Sequence, residues 1–457
     1  MNAATSARLQ LEPRPRTPMP LPEASPPPSA LVIGICALLF FAALSFGAVE
    51  EWSVSILEAG LAVLFLTWAV RQVMAGELKV QASPLYAPAF LFAAVVAAQV
   101  GFGITAYRYA TLTASLEYLA YGTLLFLTIQ SISGERSAKA ILWALVLFGF
   151  AVAVFAIAQD LTSNGKIFWL RTLHNGGSPF GPYVNHDHYA GLMEMLAPIP
   201  IVLSLGSLFT GGKRALVAFA GVVMAGTIVL SQSRAGTASF LVEMGLLLSL
   251  LVWRKRNGRI AAGLGTLCVL VLAFVVWLGT AALWHHFTQL QDWMRLAMTR
   301  DGLRMFWHKP ALGWGLGTFT AVYPQFRSFY TNLFVNAAHN DYVQVLVETG
   351  LIGFAAVVWF IVEVYRGGLR NLDGWNRDWS RALGLAALIG CTGLLVHSFF
   401  DFNLQIPANA YMFYFLCALA TSTSRIPAAA LAARPSKTHD KTAARRSFRS
   451  KLVNPKF

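Results

Sequence analysis

The sequence predicts an all-α protein, a polytopic transmembrane helix bundle of about twelve spans. Three observations predict it. Of the 457 residues, 56% are hydrophobic and only 12% are charged, against roughly 25% charged in a soluble domain. So little charge cannot cover a water-facing surface, and lipid must be the solvent for most of the chain. Apolar runs of about 18 or more residues recur from Leu31 to Thr421, long enough to cross a bilayer as helices. The basic residues fall mostly between those runs, where they set topology. The net charge of +14 is therefore not read as a nucleic-acid footprint. Short alternating strands are missing, which speaks against an outer-membrane barrel.

The elements follow in order. Residues 1–30 are rich in Pro, Ser and Ala and carry Arg8, Arg14 and Arg16, as in a disordered cytoplasmic arm. The first apolar run starts late and has no clean small-residue cleavage site, so a cleaved signal peptide fits poorly. A transmembrane domain over 31–424 contains helices expected at 31–49, 53–71, 84–103, 112–131, 138–159, 187–208, 214–231, 235–253, 260–283, 341–365, 381–399 and 408–424. With the N-terminus inside, every inner connection is basic: Arg71 and Lys79, Arg136 and Lys139, Lys213 and Arg214, Arg254 to Arg259, Arg366 to Arg381. A basic cytoplasmic tail covers 425–457. Two of the short outer connections, Val49–Trp52 and Asp401–Pro407, contain no cation. This agreement predicts both termini in the cytoplasm of a cell with an inner membrane.

Two outer segments are long, 160–186 and 284–340. The second mixes charge with many aromatics, from Trp284 and Trp293 to Phe329 and Tyr330. It is too apolar for a free loop and too polar to span, and reads as short amphipathic helices lying on the membrane and roofing a cavity. No internal repeat is visible, so an inverted-repeat transporter gains no support. The four cysteines lie in apolar runs without metal-ligand spacing, and are expected to be small core hydrophobes.

The outer segments run against the positive-inside trend. They contain Arg108, Lys166, Arg171, Arg234, Arg295, Arg300, Arg304, Lys309 and Arg327, with His174, His186, His188, His285, His286, His308 and His339. Cations placed there suggest an anionic ligand, the alternative being ordinary surface and headgroup charge. In Ser231-Gln232-Ser233-Arg234-Ala235-Gly236 two apolar helices meet with almost no loop. Arg234 then sits at a helix start, where free N–H groups and a guanidinium together suit a diphosphate. The competing reading is an arginine reaching lipid headgroups.

His339-Asn340-Asp341-Tyr342 opens a helix on which Asn340, Gln344 and Glu348 share a face. An acid two turns into a span is costly unless it faces a polar cavity. His339 stands at the helix mouth, where an imidazole can accept a hydroxyl proton or simply bond a carbonyl. Asn185-His186-Asp187-His188-Tyr189-Ala190-Gly191 opens another helix, followed by Glu194. Polar lining of a sugar cleft fits it better than a metal site, because no third strong ligand is identifiable. Gly313 to Gly317 lacks the Lys-Ser/Thr of a phosphate loop and reads as tight turns. Arg304 just before it is a second candidate anion contact.

At these motifs the sequence resembles the O-antigen ligase/polymerase superfamily of lipopolysaccharide O-antigen ligases, O-antigen polymerases and related oligosaccharyltransferases. Ser233-Arg234-Ala235-Gly236 is similar to its Ser-Arg-small-Gly element. His339-Asn340 followed by Gly350 is similar to its histidine motif, and 185–191 to its Asn-x-Asn-x-x-Ala helix opening, with Asp187 in place of the second Asn. The resemblance spans roughly 185–355. It implies a metal-independent, cofactor-free glycosyltransferase working on a polyprenyl-diphosphate-linked glycan at the periplasmic face of a bacterial inner membrane. Its acceptor would be a glycan or lipid A–core. Catalytic roles would fall to Arg234 and His339. Substrate contacts would fall to Arg304, Arg171, Asn185, His188, Asn340 and Glu348. Ligation is favoured slightly over polymerisation. The rival from another class is a transporter or flippase, which would spread its charges through the membrane interior.

Overall fold

The computed structural model describes residues 30–132, 134–173, 177–255, 290–332 and 334–423. The expected helix at 260–283, the N-terminal arm short of its last residue, the tail 425–457 and three of the histidines (His174, His285, His286) lie outside the described residues. Among the described residues the chain is helical, and β-structure is confined to isolated bridges in the 160–186 segment, such as Ile167 with Arg171.

The helices are α1 (Ala30–Leu44), α2 (Glu51–Met74), α3 (Tyr86–Gly101), α4 (Arg108–Ser131), α5 (Glu135–Leu161), α6 (His186–Leu196), α7 (Pro198–Leu205), α8 (Gly211–Leu230) and α9 (Arg234–Lys255). Then come α10 (Leu290–His308), the single turn α11 (Phe319–Val322), α12 (Asp341–Gly368), α13 (Trp379–His397) and α14 (Pro407–Ser422). Among the described residues, eight segments are long and apolar enough to cross a membrane, the α6–α7 pair counting as one. Helices α1 and α3 are apolar but shorter. The protein is thus an all-α, multi-pass membrane protein.

Departures from the expected boundaries have local causes. The first helix ends at Leu44 instead of Val49, because Phe46, Gly47 and Ala48 all take positive φ and turn the chain. The single helix expected at 187–208 is two, broken at Ala197 where Pro198 and Pro200 remove backbone donors. The helix that begins at Asp341 is kinked at Gly350, whose φ of 66° only glycine adopts freely. A Cβ there would also collide with the backbone of Ala311.

Burial orders the bundle. Helix α13 is buried almost all round and packs on α14, α9, α6, α7 and α5. Helix α14 links it to α4, α12 and α1. A helix apolar on every side belongs at the centre of a membrane bundle. By contrast α2 buries little beyond Ser53, Leu57, Leu61 and Trp68, so most of it faces outward. The three described cysteines, Cys36, Cys391 and Cys417, are buried and free.

Candidate active site

Four helix ends meet at one end of the bundle. Asn185 caps α6, its side chain accepting from the Asp187 N–H at 2.9 Å. Asn340 caps α12, accepting from Val343 N–H at 3.1 Å, and its amide donates to the Phe399 carbonyl. Both are typical N-cap residues. Each cap sets its helix start beside the connection between α13 and α14.

The start of α9 docks on α6 through small residues. A Cβ on Gly236 would sit 2.6 Å from Ala190 Cβ, so only glycine permits this approach. Ser233 Oγ donates to Asp187 Oδ1 at 2.6 Å and accepts from Gly236 N–H at 3.1 Å. This hydroxyl therefore caps α9 and ties it to α6. Arg234, the next residue, is the first of α9 and is exposed at that junction. His186 Nδ1 bonds the Ser231 carbonyl at 2.7 Å, a further strap between the two motifs.

The histidine motif reaches the same place. His339 has φ 49°, a left-handed conformation uncommon outside glycine. Its Nδ1 lies 3.0 Å from Asp401 Oδ1. An Nδ1–H donated to that carboxylate leaves Nε2 as the acceptor nitrogen. The His339 side chain is 23% exposed and that of Asp401 is fully buried, so the pair presents an imidazole and conceals its carboxylate. Phe402 is packed edge-on by both His339 and His188, with ring centroids at 4.7 and 4.8 Å.

Burial opposes charge on Asp401, but the hydrogen bond from His339 and the neighbouring His188, Arg295 and His339 outweigh it. Together they hold the carboxyl well below the usual carboxylate range. Its second oxygen is 4.0 Å from His188 Nε2, and neither atom has a hydrogen-bond partner among the described residues.

The connection 398–406 is the hub. Ser398 Oγ and Leu404 N–H both donate to Asp341 Oδ2. Asn409, one turn into α14, donates to the His188 carbonyl and to Asn403, and accepts from Tyr183. Arg295 on α10 closes the hub from above, donating to the Phe400 carbonyl at 3.2 Å and lying 3.6 Å from Asp187 Oδ2. Beneath it, His397 Nδ1 bonds Glu194 Oε1 at 2.9 Å, both fully buried.

Of the residues singled out in the sequence, Asn185, His188, His339 and Asn340 are joined through these contacts, and Arg234 is adjacent to them. Three others have different company. Arg171 pairs with Glu50 and stacks over Phe46. Arg304 lies 3.4 Å from Asp301, one turn back on the same helix. Glu348 accepts Gly317 N–H and Phe319 N–H on its two oxygens and clamps the 313–319 turn onto α12. Sequence reading missed Asp401 and the specific position of Arg295. The available signal was His397-Ser398-Phe399-Phe400-Asp401-Phe402-Asn403, a polar cluster closing an apolar helix in a chain poor in charge.

Among the described residues one cluster has metal-ligand proximity: single donor atoms of Asp187, His397 and Asp401 lie within 4.8 Å of one another. The group fits an ion poorly. Asp187 is engaged by Ser233 and Arg295, His397 by Glu194 and Asp401 by His339, and the Arg295 guanidinium already supplies positive charge there.

The fold and site thus define a multi-pass membrane protein with an Arg/His/Asp constellation at one end of its bundle. Residues 219–358 match the family model described as O-antigen ligase, less than a third of the chain. That match supports the superfamily resemblance and, at the level of class, a membrane glycosyltransferase-like enzyme. It includes Ser233–Gly236 and His339–Gly350, and leaves out the helix opening at 185–191 and the hub at 398–406. No curated protein matches the chain.

Proposed function

We propose that the protein moves a glycan from a polyprenyl diphosphate carrier to an acceptor hydroxyl at the periplasmic face of a bacterial inner membrane, as an O-antigen ligase does. The observation that carries this reading is the His339–Asp401 pair at the same hub as Arg295 and the Arg234 helix start. A base oriented by a buried carboxylate can take the acceptor proton. Guanidinium groups at a helix start can stabilise the charge that grows on the departing diphosphate.

The balance of the step is simple. The acceptor O–H breaks and its proton goes to His339 Nε2. The acceptor oxygen bonds the anomeric carbon as the bond to diphosphate breaks, and the electron pair leaves with the phosphate. Attack opposite the leaving group inverts the anomeric centre through an oxocarbenium-like state. No metal or cofactor is required by this balance. Transfer that persists in excess chelator supports that part of the reading, and reversible loss with EDTA overturns it.

Twelve spans, both termini inside and a roof formed by 284–340 belong to the same proposal. A transporter or flippase accounts less well for a polar constellation gathered at helix ends.

The deciding experiment compares surface glycans in a deletion strain complemented with wild type, Arg234→Ala, Arg234→Lys or His339→Ala, with lipid-linked intermediates extracted alongside. Long lipid-linked chains accumulating beside bare lipid A–core are expected for loss of a ligase. Arg234→Lys should rescue poorly, because an ammonium lacks the fork that grips phosphate. Single lipid-linked repeats would point to a polymerase. An unchanged profile in a strain without a second copy would overturn the enzyme reading.

A further inference from the structure

Helix α10 divides its faces unusually. Ala297, Met298, Asp301, Gly302, Met305 and Phe306 are buried, and Gly302 lies against Val343 of α12. The opposite face places Trp293, Leu296, Arg300, Leu303 and Trp307 at alternating spacings of three and four, which is one stripe of a helix. These apolar side chains are not covered: Trp293 is 58% exposed, Leu296 69%, Leu303 41% and Trp307 73%. Tyr330 and Phe334, later in the same segment, are exposed as well. Such a patch marks a surface that meets something apolar.

The level of α10 along the bundle says what it meets. Asp341–Leu372 is 32 residues long, about 48 Å as a helix, against about 30 Å of hydrocarbon core. The stretch beyond the Gly350 kink, with Arg366 and Arg370 toward its far end, is by itself long enough to cross. The stub from Asp341 to Thr349 then stands in the headgroup region, and α10 packs against that stub at Val343 and Val347. Just past the kink, Leu351 and Ile352 of α12 are exposed as well.

The chemistry of the stripe matches that level. Tryptophan favours the membrane–water boundary. Arg300 lies within the stripe and Arg304 beside it, and arginines reach lipid phosphates from such positions. We infer that the Trp293–Leu296–Arg300–Leu303–Trp307 face of α10 rests in the phospholipid headgroup layer and anchors the segment above the hub to the bilayer surface. The same helix turns Arg295 toward Asp187. Docking therefore fixes the hub at the height of lipid phosphates, whichever reaction proceeds there.

Nitroxide labels at Leu296→Cys and Leu303→Cys test this in full-length protein whose four cysteines are alanine, in nanodiscs of phosphatidylethanolamine and phosphatidylglycerol. Controls are Asn164→Cys on an exposed loop and Ala94→Cys on the exposed side of α3 midway along it. Both α10 labels should be more accessible to oxygen than to a water-soluble nickel complex, at shallower depth than Ala94→Cys. Nickel accessibility like that of Asn164→Cys would overturn the inference. Protection from both reagents would also overturn it, because protein would then cover the face. Should the cysteine-free protein not fold, native-cysteine protein is compared with its Trp293→Phe/Trp307→Phe variant in lipids brominated near the headgroup. A smaller quenched fraction is expected in the variant, and equal fractions would overturn the inference. Neither readout involves glycan transfer, so its failure leaves the enzymatic proposal standing.

Discussion

His339 is useful as a base only if its ring is held in one tautomer and aimed outward, and both conditions depend on Asp401. The buried carboxylate accepts from Phe402 N–H and lies against His339 Nδ1 through the same oxygen, which holds it in one orientation. Asp401→Asn removes the charge but keeps the shape, and should lower transfer by about 10²–10⁴-fold, the range for losing a positioned base or its orienter. His339→Ala/Asp401→Asn should be no slower than His339→Ala alone, because the two act as one unit. Additive losses in a reconstituted transfer assay would separate them. The pH profile gives an independent check. A carboxyl held below its usual range contributes stability above the unfolded value of about 3.9 and loses it only as pH falls through the folded value. Asp401 is therefore charged throughout the neutral range, and an acid limb there would not report this carboxyl. An acid limb that survives His339→Gln at the same midpoint would remove His339 from the role of base.

At the scale of elements, the helices were legible because long apolar runs and the basic connections between them leave few alternatives. The breaks were less so. Pro198 and Pro200 were visible in the sequence, yet whether they bend or split a helix depends on what packs around them. Glu348 shows the limit more clearly. Its stripe with Asn340 and Gln344 pointed to a polar surroundings correctly, but periodicity does not say whether that polarity is a ligand or the protein's own backbone. Here it is backbone: Gly317 and Phe319 donate to the carboxylate, and Gln99 of α3 donates to the Leu312 and Glu348 carbonyls. Glu348→Gln keeps the shape but turns one accepting oxygen into an amide donor that faces a backbone N–H, and should cost about 1–3 kcal/mol. Gly350→Ala should be at least as damaging, since it meets both a positive φ and the Ala311 backbone. Thermal unfolding in detergent measures both, with lowered midpoints expected, and an unchanged midpoint for Glu348→Gln would mean that the clamp is not structural.

Across the whole molecule, the site was half legible for a physical reason. Motifs at helix starts, such as Ser233–Gly236 and His339–Asn340, announce themselves because caps and charges interrupt apolar runs. Asp401 and Arg295 act from a distance of many residues, and only packing chooses Arg295 over Arg304 for the hub: the two lie on different faces of α10, one toward Asp187 and the other outward. What unites these residues is the side of the membrane on which the hub sits, which charge distribution predicts to be the outside. The segment Lys166 occupies precedes α6, and Lys213 follows α7, so one crossing separates them. Both are exposed. With Lys166→Cys or Lys213→Cys as the added thiol, a membrane-impermeant maleimide applied to spheroplasts should modify the first directly and the second only after permeabilisation. The native cysteines described here are buried and provide a low background. The opposite pattern would place the hub in the cytoplasm, beyond the reach of a periplasmic acceptor. Equal labelling of both in sealed cells would mean that the α6–α7 pair does not cross.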